Sequence, residues 1–276
     1  MIVIALECIC AAIVLSYVAF RLVRASDATE RRAFLVRFGV LAAGALLGED
    51  SVIRAYRYYG YAPSWSLKLD LVPVIVVLVW PVVIDSAAAI ARSLVRGPLR
   101  VASLAAAIVL LDASLIEPIA VRAGLWSWTH PGIFDVPLIG ITGWAMFTWA
   151  AVLAIETDRA KLVPLLAPLA THVLLLASYW LLFKWIAGSV SDEVAVIGAL
   201  AVLVVVTLLA LRHGRRIPVM DILARAPGAL FFFVLLATLP STGRLPLVLY
   251  ALAFAPPYLV ALARRDRSHE IVARAL

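Results

Sequence analysis

Apolar residues run through this chain in long blocks separated by short polar stretches. The blocks occupy about 1–23, 33–48, 71–91, 100–119, 139–156, 162–187, 194–211, 227–240 and 246–263. Most come close to the roughly 20 apolar residues that a helix needs to cross a bilayer. The last two are shorter and punctuated by Pro227, Pro240, Pro246, Pro256 and Pro257, which fits two thin spans or one irregular pair. The pattern predicts an all-α fold: a polytopic transmembrane helix bundle of about eight or nine helices. Residues 1–276 are expected to form a single integral-membrane domain.

Composition agrees. Hydrophobic residues make up 64% of the chain and charged ones 15%, with a mean hydropathy of +1.04. Soluble domains carry roughly 45–50% and 25%. A net charge of +7 raises the question of nucleic acid. The basic residues fall in short loops between apolar blocks, where membrane topology accounts for them, so no nucleic-acid partner is expected. When successive loops are assigned to alternate sides, 18 of the 24 Lys and Arg fall together, among them Arg21, Arg92, Arg159, Arg225 and Arg264. The other side holds Arg54, Arg57, Lys68, Arg122, Lys184 and Arg244. The positive-inside rule then places the N-terminus outside and the C-terminus in the cytoplasm of a prokaryotic inner or plasma membrane. Cys8 and Cys10, at i and i+2 of one helix, point to different faces. They are expected as small core residues rather than a disulfide or a metal pair.

Two long loops on the less basic side carry most of the unusual side chains. One runs over 49–70 and the other over 117–138, and each holds an acid, an arginine, an aromatic cluster and a proline turn. Each closes on Asp and Val-Pro: DLVP at 70–73 and DVP at 135–137. An internal duplication would produce that likeness, and so would two interfacial loops rich in Trp and Tyr. No nucleotide-binding glycine loop, zinc-type cluster or nucleophile elbow is present. Leu239-Pro240-Ser241-Thr242-Gly243 resembles a sortase sorting signal. It is expected as the turn between the last two helices, because cleavage there would sever a multi-span protein.

The acids separate by depth. Asp112 lies about twelve residues into a helix that starts near 100, which at about 1.5 Å per residue places it beyond the midplane. An ionisable group at such a depth faces the bundle interior or a wet cavity. Glu117 lies about 7.5 Å further along and about 140° around the helix, and Pro118 would bend its backbone. Glu49 and Asp50 end the second helix at the same level. These four carboxyls either open onto one cavity or, for Glu49, Asp50 and Glu117, pair with Arg54, Arg57 and Arg122. Tyr56, Tyr58, Tyr59, Tyr61, Trp65, Trp126 and Trp128 fit an interfacial aromatic belt when taken singly. Taken with the acids, they suggest a pocket for an apolar ligand whose chemistry passes through a cation, since aromatic faces stabilise a cation. Of the remaining polar residues, His172 is expected as a hydrogen-bonded core histidine and Asp85 as an anchor for Arg92. Glu7 fits either role, and His130 is expected to be solvated.

Asp112, Glu117-Pro118, Trp126-Ser127-Trp128, Gly132, Val136-Pro137 and Gly143-Trp144 together resemble a signature of membrane carotenoid-biosynthesis proteins of the carotenoid 1,2-hydratase type. The γ-carotene 1′,2′-hydratase and the bisanhydrobacterioruberin hydratase represent that type. Where the family has Gly before Val-Pro and Asn soon after it, this chain has Asp135 and Ile139-Gly140. The resemblance implies a hydratase-like lyase acting on an apolar polyene or isoprenoid lipid among membrane lipids. It implies protonation of a terminal C=C, then addition of water to the tertiary cation, with no metal, flavin or nucleotide cofactor. On that reading Asp112 is the neutral acid, and Glu117 or Glu49 delivers water with Asp50 beside them. Trp126, Trp128 and Trp144 face the cation, while Tyr56, Tyr59 and Asp135 complete the substrate-binding set. The competing readings are a transporter or lipid-binding protein using the same acids, and a cyclase using the same cation without water.

Overall fold

The computed structural model describes residues 2–130, 132–186, 190–212, 219–240, 244–256 and 259–260. In chain order they form α1 (Ile2–Arg24), α2 (Ala28–Tyr56), β1 (Tyr59–Tyr61), β2 (Lys68–Leu69), β3 (Val72–Pro73), α3 (Val74–Leu94) and α4 (Pro98–Arg122). Next come β4 (Trp126–Trp128), α5 (Leu138–Glu156), α6 (Val163–Ser178), α7 (Lys184–Ile186), α8 (Asp192–Arg212), α9 (Val219–Leu223), α10 (Ala226–Thr238) and α11 (Arg244–Ala253). A π-helical stretch, Tyr179–Phe183, joins α6 to α7. Seven helical stretches among the described residues are long and apolar enough to span a membrane, from Ile2–Arg24 through Met220–Thr238. The chain is a polytopic α-helical membrane protein. The LPSTG turn at 241–243, the end of the last apolar block and the C-terminal arginines lie outside the described residues.

Helices α2 to α6 share one core whose contacts are largely alanine: Ala45, Ala87, Ala88, Ala91, Ala102, Ala105, Ala150, Ala151 and Ala167. Small side chains let backbones approach closely where lipid removes the hydrophobic gain of bringing helices together. Against the far side of α4 pack α10 and α11, with α1 against α10 and α8 against α11, in a cluster that includes Leu6, Leu115, Ile119, Leu203, Phe232 and Tyr250.

The two loops expected to resemble each other are structural counterparts. Each half runs helix, short strand, Val-Pro, helix: α2, β1, Val72-Pro73, α3 and then α4, β4, Val136-Pro137, α5. Pro73 and Pro137 cap α3 and α5 with the same extended backbone, at φ −60° and −67°. A left-handed residue precedes each Val-Pro, Asp70 in the first half and Asp135 in the second. The strands pair antiparallel, Tyr59 with Trp128, Gly60 with Ser127 and Tyr61 with Trp126, which relates the halves by a local two-fold through the Gly60–Ser127 pair. In the second turn Gly132 has no room for a side chain, because a Cβ would sit 2.1 Å from the Val136 carbonyl oxygen. Gly132→Ala is therefore expected to displace the start of α5 and lower the thermal midpoint of detergent-solubilised protein, at a cost of about 1–3 kcal/mol.

Buried charges tie the helices together away from this end. Asp85 accepts from Tyr17 Oη at 2.8 Å and Arg37 Nε at 3.1 Å and pairs with Arg21 at 3.3 Å. It is an anchor as expected, but for α1 and α2. Arg92, the expected partner, instead binds Glu156 of α5 at 2.8 Å. Cys8 is exposed on α1 rather than in the core, since i and i+2 cannot both face inward. Pro118 does not end α4, which continues to Arg122 and holds Glu117 in helical geometry.

Candidate active site

Each half of the two-fold builds one carboxyl with three aromatic donors. Glu117, 2% exposed, lies five residues before the end of α4. Its Oε2 accepts from Trp126 Nε1 at 2.8 Å and Trp128 Nε1 at 3.0 Å, and its Oε1 from Trp144 Nε1 at 2.8 Å. Glu49 lies seven residues before the end of α2. Its Oε2 accepts from the hydroxyls of Tyr59 and Tyr61, the latter at 3.1 Å, and its Oε1 from Trp80 Nε1 at 3.0 Å.

The local reason is the same twice over. A strand repeats every two residues, so Tyr59 and Tyr61 share one face, as do Trp126 and Trp128. Each pair hangs over the acid at the end of the helix before it. The third donor comes from the next helix, where Trp80 and Trp144 each sit seven residues, two turns, after the capping proline. The arms also touch each other. Tyr59 and Trp128 have ring centroids 4.6 Å apart, Tyr61 and Trp126 6.0 Å, and Trp80 and Trp144 4.9 Å. A buried carboxyl without such partners would be costly; here each has three.

Both acids line one cavity of about 160 Å³. Its walls are the aromatics of the two arms with Tyr56, Tyr58, Trp65 and Phe147, and aliphatic residues such as Ile75, Val79 and Ile116. Leu6 and Cys10 of α1, Phe232 of α10, and Thr171 and Leu175 of α6 also line it. Burial pushes the Tyr59 and Tyr61 hydroxyls well above the ordinary tyrosine range, and any negative charge on Glu49 adds to it. Tyrosinate absorbance of wild type and of Tyr59→Phe/Tyr61→Phe should therefore superimpose as pH rises through about 10, apart from any change elsewhere. A loss of tyrosinate signal in the variant within that range would contradict their protonation.

The expected site divides accordingly. Glu49, Glu117, Tyr56, Tyr59, Trp126, Trp128 and Trp144 all meet at the cavity. Tyr61, one of the aromatics expected around the acids, and Trp80 complete it. Their signal is the repeated aromatic-x-aromatic strand and the Val-Pro to Trp spacing, present in both halves. Asp112, expected as the acid, lies elsewhere: it is ion-paired to Arg225, which also donates to Val83 O at 2.8 Å and Ser86 Oγ at 2.7 Å. The 140° turn of α4 between positions 112 and 117 takes the two acids to different neighbours. Asp50, one residue past Glu49, faces away and binds Arg54 at 2.7 Å. Asp135 is an exposed turn residue at φ 67°. His172 is the hydrogen-bonded histidine expected, held between Ser51 Oγ and Tyr56 Oη at 2.9 Å each. Glu7 accepts from the Ser66 backbone N–H at 2.8 Å, and His130 is exposed.

One glycine is required by this packing. A Cβ at Gly140 would lie 2.6 Å from Cζ2 of Trp128. Gly140→Ala should push that indole off Glu117 and lower activity by an order of magnitude or more, with altered indole bands in near-ultraviolet circular dichroism. The overpacking costs about 1–3 kcal/mol. Unchanged bands and activity would show that the ring has slack.

The fold and site define a membrane helix bundle that encloses an apolar cavity with two aromatic-bound carboxyls. Residues 3–208 match the family of carotenoid biosynthesis proteins, and the chain belongs to that family. It takes part in carotenoid biosynthesis. No curated protein and no solved structure matches it.

Proposed function

We propose that the chain is an enzyme that adds water across the terminal C=C of an acyclic polyene end. The observation that carries this reading is the pair of carboxyls, each bound by three aromatic donors, in one apolar cavity. One carboxyl protonates the alkene to a tertiary cation, and the other opposes the charge. Faces of the surrounding Trp and Tyr rings stabilise that cation by roughly 0.5–2 kcal/mol each. Water then forms the C–O bond, and its proton passes to a carboxylate. Two acids in one low-dielectric site do not both ionise readily, which separates their roles.

The test is expression in a host that accumulates an acyclic carotenoid, followed by pigment extraction. A product heavier by one water per modified end, absent with Glu49→Gln and with Glu117→Gln, supports hydration. A ring-bearing product of unchanged mass would replace it with cyclisation. No pigment change from a folded wild-type protein would favour transport or lipid binding.

A further inference from the structure

The two arms are equivalent in position but not in chemistry. Glu117 is bound by three indoles, whereas two of the three donors on Glu49 are phenols. An indole N–H can only donate, while a phenol hydroxyl donates or accepts. Three of the roughly four lone-pair positions of Glu117 are therefore filled by donors that cannot turn round. Protonating Glu117 would weaken three charge-assisted hydrogen bonds and provide no new acceptor among them. Around Glu49 the tyrosines can rotate, so a proton on Oε2 finds a phenol oxygen to receive it. The cavity is apolar and encloses both groups, which favours one negative charge over two.

We infer that Glu49 carries the transferable proton and that Glu117 remains the fixed anion opposite the cation. This rests on the acid-initiated reading above and assigns its two roles. In the forward step the C=C electron pair takes the Glu49 proton to form the new C–H bond, leaving a Glu49 carboxylate and a tertiary cation. A lone pair of water forms the C–O bond. The oxonium ion then loses its proton to Glu49, which restores the starting protonation state with no other reactant consumed. Tyr59 and Tyr61 are positioning residues: they hold Glu49 in either state by reversing their hydroxyls.

Infrared difference spectra between wild type and each variant, in H₂O and D₂O, locate the proton without reference to turnover. The carboxylic C=O band, shifted by deuteration, should be lost in Glu49→Gln and kept in Glu117→Gln. Loss in Glu117→Gln with retention in Glu49→Gln would overturn the assignment. If Glu49→Gln does not fold, Tyr61→Phe serves instead. It should shift the band by removing a hydrogen bond from Glu49, while Trp126→Phe across the strand pair leaves it in place; the reverse pattern would overturn the assignment. Failure of hydration in the pigment assay leaves these spectra interpretable, so the two readings can fail separately.

Discussion

Glu117→Gln should abolish pigment conversion and also destabilise the protein, and the two losses should be separable. The carboxylate offers two oxygens to three indole N–H groups. A glutamine offers one oxygen, which can satisfy Trp126 and Trp128, and then turns its NH₂ towards the Trp144 N–H. One buried donor is left unsatisfied, at about 1–3 kcal/mol. The same change removes the negative charge facing the cation, and loss of one such preorganised electrostatic group lowers turnover by about 10²–10³-fold. Glu117→Gln/Trp144→Phe removes the donor–donor contact. It should recover thermal stability in detergent while turnover stays lost. Recovery of turnover in the double variant would mean that Glu117 acts only through folding.

The opposite outcome is expected at Asp112. Its ion pair with Arg225 is nearly buried, with side-chain exposures of 13% and 5%. Removing one partner of such a pair costs about 3–5 kcal/mol, because the other is left charged without compensation. Asp112→Asn should therefore lower the yield and thermal midpoint of the folded protein, while activity per folded molecule stays within a few-fold of wild type. Asp112→Asn/Arg225→Met takes away both charges and should regain most of the lost stability. Full stability with no activity in Asp112→Asn would return this acid to the reaction.

The contrast between these two acids shows where sequence reading stops. Asp112 and Glu117 share a helix, an apolar context and a composition that marks both as unusual. Helical geometry correctly sets them about 140° apart, but it carries no information on which one meets arginine. Arg225 counts as a loop charge in a topology tally, yet it is 8% exposed between α3 and α4. Its partner lies 113 positions away, beyond any local periodicity. Asp50 was separable from Glu49 by the same reasoning: adjacent helical residues point about 100° apart, so only one of them can face the cavity.

Local chemistry by itself determined a good deal. Unbroken apolar blocks require helices in lipid, because a helix satisfies its own backbone. The two loops with Val-Pro and aromatic pairs were visible as a repeat, and the block from Asp112 to Trp144 indicated carotenoid biosynthesis. Tertiary structure decided that the repeat is a two-fold, through a strand pair between Tyr59–Tyr61 and Trp126–Trp128 that joins segments 67 residues apart in sequence. It also decided that two glutamates, not an aspartate, face the cavity. The physical reason is that an acid is neutralised, paired or exposed by whatever packs against it, and in this bundle those neighbours come from other helices.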